Sequence, residues 1–380
     1  MKRGKILVTS LCIITLVCSG CGSKNQKVEK DPEVTATVTP EEETNTEESE
    51  EVKQNDAAIQ EAMKEEAKDQ EEAVQPSEEE TQVSEEAEPV EEEIHASISD
   101  KIPTEYFTKR SDNAGTIEYI EYTTHDYFGD ESEITKHAYV YLPYGYDETQ
   151  QYDVLYLMHG IGGNEKEWGM YDDTSRVKAM MDQLIYHGDI KPFIVVTPNG
   201  RSSKDTSSSS DYNSFYEFGK ELRNDLIPYI DANYATYGNY EETGYDLTEA
   251  RDHRAMAGLS MGGMQTINIG LCECLDIISY FGAFSAAPTS YPASQIAETL
   301  KDFTDYPIHY FYNICGLQDN IALSSASTAA KTLPTLSDQL IDGENFMWQE
   351  VNGGHTFNVW YLGFYNFAQL VFDSEEAANE

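Results

Sequence analysis

Three side chains far apart in the sequence have the types and settings that activate a hydroxyl. Ser260 stands in Gly258-Leu259-Ser260-Met261-Gly262-Gly263, a G-x-S-x-G pattern. That pattern predicts a sharp turn from strand to helix that pushes one Oγ into the open. The flanking glycines leave room where backbone segments crowd. A base and an acid are expected after the serine in chain order. His355 lies in Val351-Asn352-Gly353-Gly354-His355-Thr356-Phe357, a glycine-rich loop after a strand at 346–351. Asp319 lies on the loop that follows an apolar strand at 308–314. The competing residues have other readings. His253 precedes the serine and enters a strand, His309 lies inside one, and Asp338 and Asp342 read as a helical stretch and its exit. The roles expected are those of a serine hydrolase triad: Ser260 attacks, His355 moves the proton, and Asp319 fixes the imidazole tautomer.

Such an attack creates an oxyanion that needs donors. The N–H of Met261, the residue after the nucleophile, is one. A second is expected from the loop after an early strand, where His159-Gly160-Ile161-Gly162-Gly163 stands. His159 reads as a residue that holds this loop by a hydrogen bond rather than as the base.

These residues need a scaffold that brings them to one end of a sheet. Short apolar runs at 154–158, 193–197 and 254–259 each end in a glycine-rich or serine turn, as buried strands do. An alternating aromatic and β-branched run at 135–142 reads as a further strand. Between them, 175–187, 215–229 and 263–271 read as helices, the first two from apolar residues at three-to-four spacing. Alternating strands and helices predict an α/β fold with a largely parallel sheet and helices on both faces. Ligand sites then fall at the carboxyl ends of the strands. Two stretches, 201–214 and 240–249, are polar and read as surface loops.

The composition changes along the 380 residues, which carry a net charge of −44. Residues 1–21 combine Lys2, Arg3 and Lys5 with an apolar run too short to span a bilayer, the pattern of an export signal. Residues 22–100 hold 27 acidic residues against 6 lysines and no Phe, Trp or Tyr. Such a segment buries too little apolar surface to offset chain entropy, so it reads as a disordered, extended spacer. Residues 101–380 hold 42 acidic against 16 basic residues. A domain this acidic repels nucleic acid phosphates. Its three cysteines, Cys272, Cys274 and Cys315, imply neither a disulfide framework nor a four-ligand zinc site.

Two resemblances extend this reading. Leu16-Val17-Cys18-Ser19-Gly20-Cys21 resembles the lipobox of bacterial lipoproteins, which implies lipidation of Cys21, an anchor in the membrane and a place on its extracellular face; ordinary secretion without a lipid is the alternative. The stretches 155–168, 191–199, 226–230, 257–263 and 353–360 resemble carbohydrate esterase family 1, in particular the bacterial feruloyl esterases found with xylanases. That resemblance implies the α/β-hydrolase fold, a triad of Ser260, Asp319 and His355, and oxyanion donors at the N–H groups of Ile161 and Met261. It also implies no metal or other cofactor, and a substrate that is an acylated plant polysaccharide such as feruloylated or acetylated xylan. Trp168, Tyr212, Phe215, Tyr216 and Trp360 are the aromatic candidates for stacking on a sugar or an aromatic acid. The alternatives are a surface-tethered carbohydrate-binding protein on an inactive scaffold, and an acyltransferase using the same three residues.

Overall fold

Eight strands form one sheet in the order β1-β2-β4-β3-β5-β6-β7-β8. The computed structural model describes residues 98–207, 212–240 and 243–372. Cys21, the export-like segment and nearly all of the 22–100 spacer lie outside the described residues. The last residues of that spacer already join the fold, because the Ser99 carbonyl accepts from Asn366 and Gln349.

β1 (Thr116–His125) and β2 (Glu133–Leu142) form a long antiparallel ribbon whose second strand pairs antiparallel with β4 (Ile194–Pro198). The remaining pairs are parallel, running through β3 (Val154–Met158), β5 (Arg254–Leu259), β6 (Tyr280–Phe284), β7 (Tyr310–Gly316) and β8 (Phe346–Val351). The short apolar runs are these central strands, and β3 to β6 are buried at every position. That follows from helices covering both faces, which leaves no polar side for alternation to mark.

One face carries α1 (Arg176–His187) and, at the C-terminal end, α7 (Phe357–Ala368). α1 starts where the sequence supplies a cap: the Ser175 Oγ accepts the Lys178 N–H at 3.2 Å. It stops at Gly188, whose φ of 79° is left-handed. The other face carries α2 (Phe218–Glu221), a π-helical stretch at Leu222–Leu226, and α3 (Ile227–Asn233). It also carries α4 (Met261–Gln265), α5 (Ala293–Leu300) and α6 (Leu323–Thr332).

Three readings change at this level. His309 precedes β7 rather than lying within a strand. Asp338 and Asp342 are exposed and stand in turns and a short bridge, not in a helix. The polar stretch 201–214 is anchored at both ends, with Arg201, Ser202 and Ser214 fully buried. The other polar stretch is a surface loop as expected, with Tyr245 tied through its hydroxyl to Asp231. The three domain cysteines are buried free thiols.

Candidate active site

Ser260 sits between β5 and α4 with φ 51° and ψ −114°, a strained conformation for a residue with a side chain. Neighbouring backbone holds it there. Its N–H donates to the Phe284 carbonyl at 3.0 Å, and its carbonyl accepts from Ala287 at 2.9 Å. The flanking glycines are a steric requirement. A Cβ on Gly258 would lie 2.6 Å from the Gly262 carbonyl carbon, and one on Gly262 would lie 2.6 Å from the Met158 carbonyl oxygen.

The structure brings the three expected side chains together. His355 Nε2 lies 3.0 Å from Ser260 Oγ, and His355 Nδ1 lies 2.9 Å from Asp319 Oδ2. A carboxylate accepts only, so Nδ1 carries the proton and Nε2 presents its lone pair to the serine hydroxyl. Asp319 is buried, and its other oxygen accepts the N–H groups of Ile321 (3.0 Å) and Ala322 (2.8 Å). Burial alone would raise the Asp319 pKa. The hydrogen bond and charge of His355, helped by Ala322 and Ser285, outweigh it and hold the carboxyl below its ordinary value.

The Met261 N–H opens α4 and has no acceptor within its own helix. Across from it, the Ile161 N–H donates to no group among the described residues. The loop that carries it is pinned on four of its peptide units. Glu167 Oε2 accepts the Gly160 N–H at 2.6 Å. His159 Nδ1–H donates to the Gly160 carbonyl at 2.6 Å, while His159 Nε2 accepts the Gly200 N–H at 2.8 Å. Arg201 donates to the carbonyls of Ile161 and Gly163, the latter at 2.8 Å. Burial, with Arg201 alongside, pushes His159 down to about 3, so this imidazole is neutral and cannot be the base. His159 is thus the loop anchor expected from the sequence.

Arg201 was not singled out as a site residue, and nothing local marks it. Its guanidinium lies 4.6 Å from the centre of the Phe215 ring. Burial lowers it to about 10, and among the described residues no carboxylate comes within ion-pair distance of it. Its backbone is fixed by Lys136, whose Nζ donates to the carbonyls of Asn199 (2.8 Å) and Arg201 (2.7 Å). Lys136 is itself buried and paired with both oxygens of Glu221 at 2.7 and 2.8 Å.

The aromatic candidates divide. Trp168 is buried and donates its Nε1–H to the Met158 carbonyl at 3.0 Å, so it props the strand before the glycine loop rather than offering a face to a ligand. Phe215 is fully buried, its ring occupied by Arg201 and His159. Trp360 is also buried, packed edge-to-face on His355 with 5.1 Å between ring centres. Tyr212 and Tyr216 remain partly exposed, over an apolar cluster of Ile161, Phe215, Met261, Met264 and Ala287. Among the described residues no group of three or more His, Cys, Asp or Glu is placed to hold a metal ion.

The model of the Esterase family matches residues 132–360. The chain belongs to this esterase family. Two curated relatives are longer than the stretch they share with the esterase. Endo-1,4-beta-xylanase Y of Acetivibrio thermocellus is 32% identical over 209 residues, covering 53% of this chain and 18% of the relative. An endo-1,4-beta-xylanase/feruloyl esterase of Xylanibacter ruminicola is 33% identical over 222 residues, covering 57% of this chain and 27% of the relative. The esterase thus spans less than a third of either relative. Solved structures match more completely. A serine-to-alanine mutant of the feruloyl esterase module from Clostridium thermocellum, complexed with sinapinate, has a TM-score of 0.60 at 26% identity, covering 73% of this chain and 94% of that one. A family 1 ferulic acid esterase from Anaeromyces mucronatus has a TM-score of 0.58 at 26% identity, covering 73% and 98%. The likeness to carbohydrate esterase family 1 and the α/β-hydrolase fold therefore hold across nearly the whole of these domains.

Proposed function

We propose that this esterase is a serine carboxylic ester hydrolase that removes feruloyl or acetyl groups from plant cell-wall xylan. The observation that carries this reading is the unbroken hydrogen-bond relay from Ser260 through His355 to Asp319. Ser260 attacks the ester carbonyl as His355 Nε2 takes its proton. The oxyanion is held by the N–H groups of Ile161 and Met261, and losing one such donor typically costs ~10²–10³ in kcat. His355 returns the proton to the leaving alcohol. A water molecule activated by the same imidazole then frees the acid. The apolar cluster beneath Tyr212 and Tyr216 suits an aromatic acyl group, and the likeness to enzymes named for ferulate supports that choice.

A panel of acetylated xylan, feruloylated arabinoxylan and short acyl esters tests the substrate. A fluorophosphonate should label Ser260. Ser260→Ala should abolish labelling and lower kcat by about 10⁶; full activity in that variant would refute the assignment. We further propose that Cys21 is lipidated and tethers the enzyme outside the cell, with the acidic segment as spacer. The motif around Cys21 and the basic, then apolar, start support this. Palmitate incorporation that is lost in Cys21→Ser checks it.

A further inference from the structure

An ester has two sides, and the structure offers each a different surface. Ile161 packs into an apolar cluster with Phe215, Met261, Met264 and Ala287. The next residues of its loop, Gly162 and Gly163, line an open cleft of about 520 Å³. This cleft is lined by polar groups, including Lys166, Tyr171 and Arg176, and by Tyr361 of α7. That helix begins at Phe357, two residues after His355.

The direction of proton transfer decides which half of the ester goes where. The leaving alkoxide takes its proton from His355 Nε2, so the alcohol must lie toward the segment that carries His355. The cleft is bounded by that segment's helix and by the glycine loop. Its chemistry suits a hydroxyl-rich group. Neither Lys166 nor Arg176 forms an ion pair among the described residues, so their donors are available. Arg176 is held in place over the rings of Phe107 (5.2 Å) and Tyr361 (5.5 Å), with no carboxylate to satisfy its fork. Tyr171 is 53% exposed on the rim, a flat apolar face beside those donors.

We propose that this cleft is the subsite for the sugar that bears the ester. Tyr171 packs on a face of the sugar ring, and Arg176 and Lys166 donate to its hydroxyls. The acyl group lies against the apolar cluster. This rests on the reading of Ser260 and His355 as nucleophile and base.

The test compares a feruloylated xylo-oligosaccharide with methyl ferulate, which lacks the sugar. In Tyr171→Ala and Arg176→Ala, KM for the oligosaccharide ester should rise about tenfold, the worth of one good contact. The kcat/KM for methyl ferulate should stay within about twofold. Both residues are exposed, and unchanged melting temperatures confirm folding. Wild-type rates for the oligosaccharide in both variants would overturn the proposal. So would an equal loss on both substrates, which would put the acyl group in the cleft. A wild-type enzyme that cleaves neither these esters nor acetylated xylan, or a Ser260→Ala variant that cleaves both ferulates, would bring down the hydrolase reading itself and the subsite with it.

Discussion

The turn at Ser260 and the loop at 159–163 face each other across the same reacting carbon, but they are held by different means. The turn is fixed through its backbone. Gly258 and Gly262 let it pack against its own residues and against Met158, and the Ser260 backbone bonds to Met264, Phe284 and Ala287. Asp319 is likewise fixed by backbone, through N–H groups two and three residues ahead. The glycine loop is fixed from far away. Arg201 reaches it across 40 residues, Lys136 holds Arg201 across another 65, and Glu221 answers Lys136 across 85. Backbone sterics preset the nucleophile, whereas a chain of buried polar side chains presets the oxyanion donor.

The comparison predicts its largest effect on the local side. Asp319→Asn should keep its backbone bonds through the remaining carbonyl oxygen, so the fold and KM should change little. It would leave His355 in the wrong tautomer, and kcat should fall by about 10⁴. Steady-state kinetics on an aryl ester, beside the melting temperature, measures this. A comparable fall in stability would show that Asp319 is structural rather than part of the relay.

The same division explains what could be read from the sequence. The G-x-S-x-G turn, the loop carrying His355 and the run ending at Asp319 are each specified by a handful of adjacent residues, so their place in the fold could be read directly. The central strands could be read because two-sided burial leaves an unbroken apolar run. β6 carries a weaker signature, although Tyr280-Phe281-Gly282-Ala283-Phe284 is equally buried, because a central glycine interrupts a run only five residues long. Arg201 was missed for a different reason. It opens a serine-rich polar stretch, and an arginine there reads as surface. Only the tertiary structure turns it inward onto two carbonyls. Trp168 and Trp360 failed as stacking candidates for the converse reason: an aromatic residue near a site is more often part of its wall than of its surface.

Arg201 is therefore the residue that sharpens the remote side. Arg201→Ala removes both donors to the loop and leaves the triad untouched. If the loop's geometry depends on that guanidinium, kcat should fall by ~10²–10³, the cost of one misplaced oxyanion donor, with KM nearly constant. Arg201→Lys keeps the charge but loses the fork that reaches both carbonyls, so it should recover only part of the loss. Guanidinium added to the alanine variant should restore activity, which a loss due to misfolding would not show. Unchanged kcat in a folded Arg201→Ala would mean that His159 and Glu167 suffice.

The smallest effect concerns acid. Buried His159 has a folded-state pKa of about 3 against an ordinary value of 6.5, so the unfolded chain binds this proton first. Stability tied to a neutral His159 is complete above pH 6.5 and drains away as pH falls from there toward 3. Asp319 adds an acid-dependent loss only below about pH 4, the ordinary range of an unfolded carboxyl. Between pH 6.5 and 5, His159 alone should cost about 2 kcal/mol, at 1.36 kcal/mol per unit. His159→Gln removes the titrating group. Urea unfolding at pH 7 and pH 5 should show a smaller stability difference in the variant than in the wild type. Equal differences in the two proteins would mean that the ring gains a proton without leaving its place, and that the loop opens to water more readily than its side-chain anchors suggest.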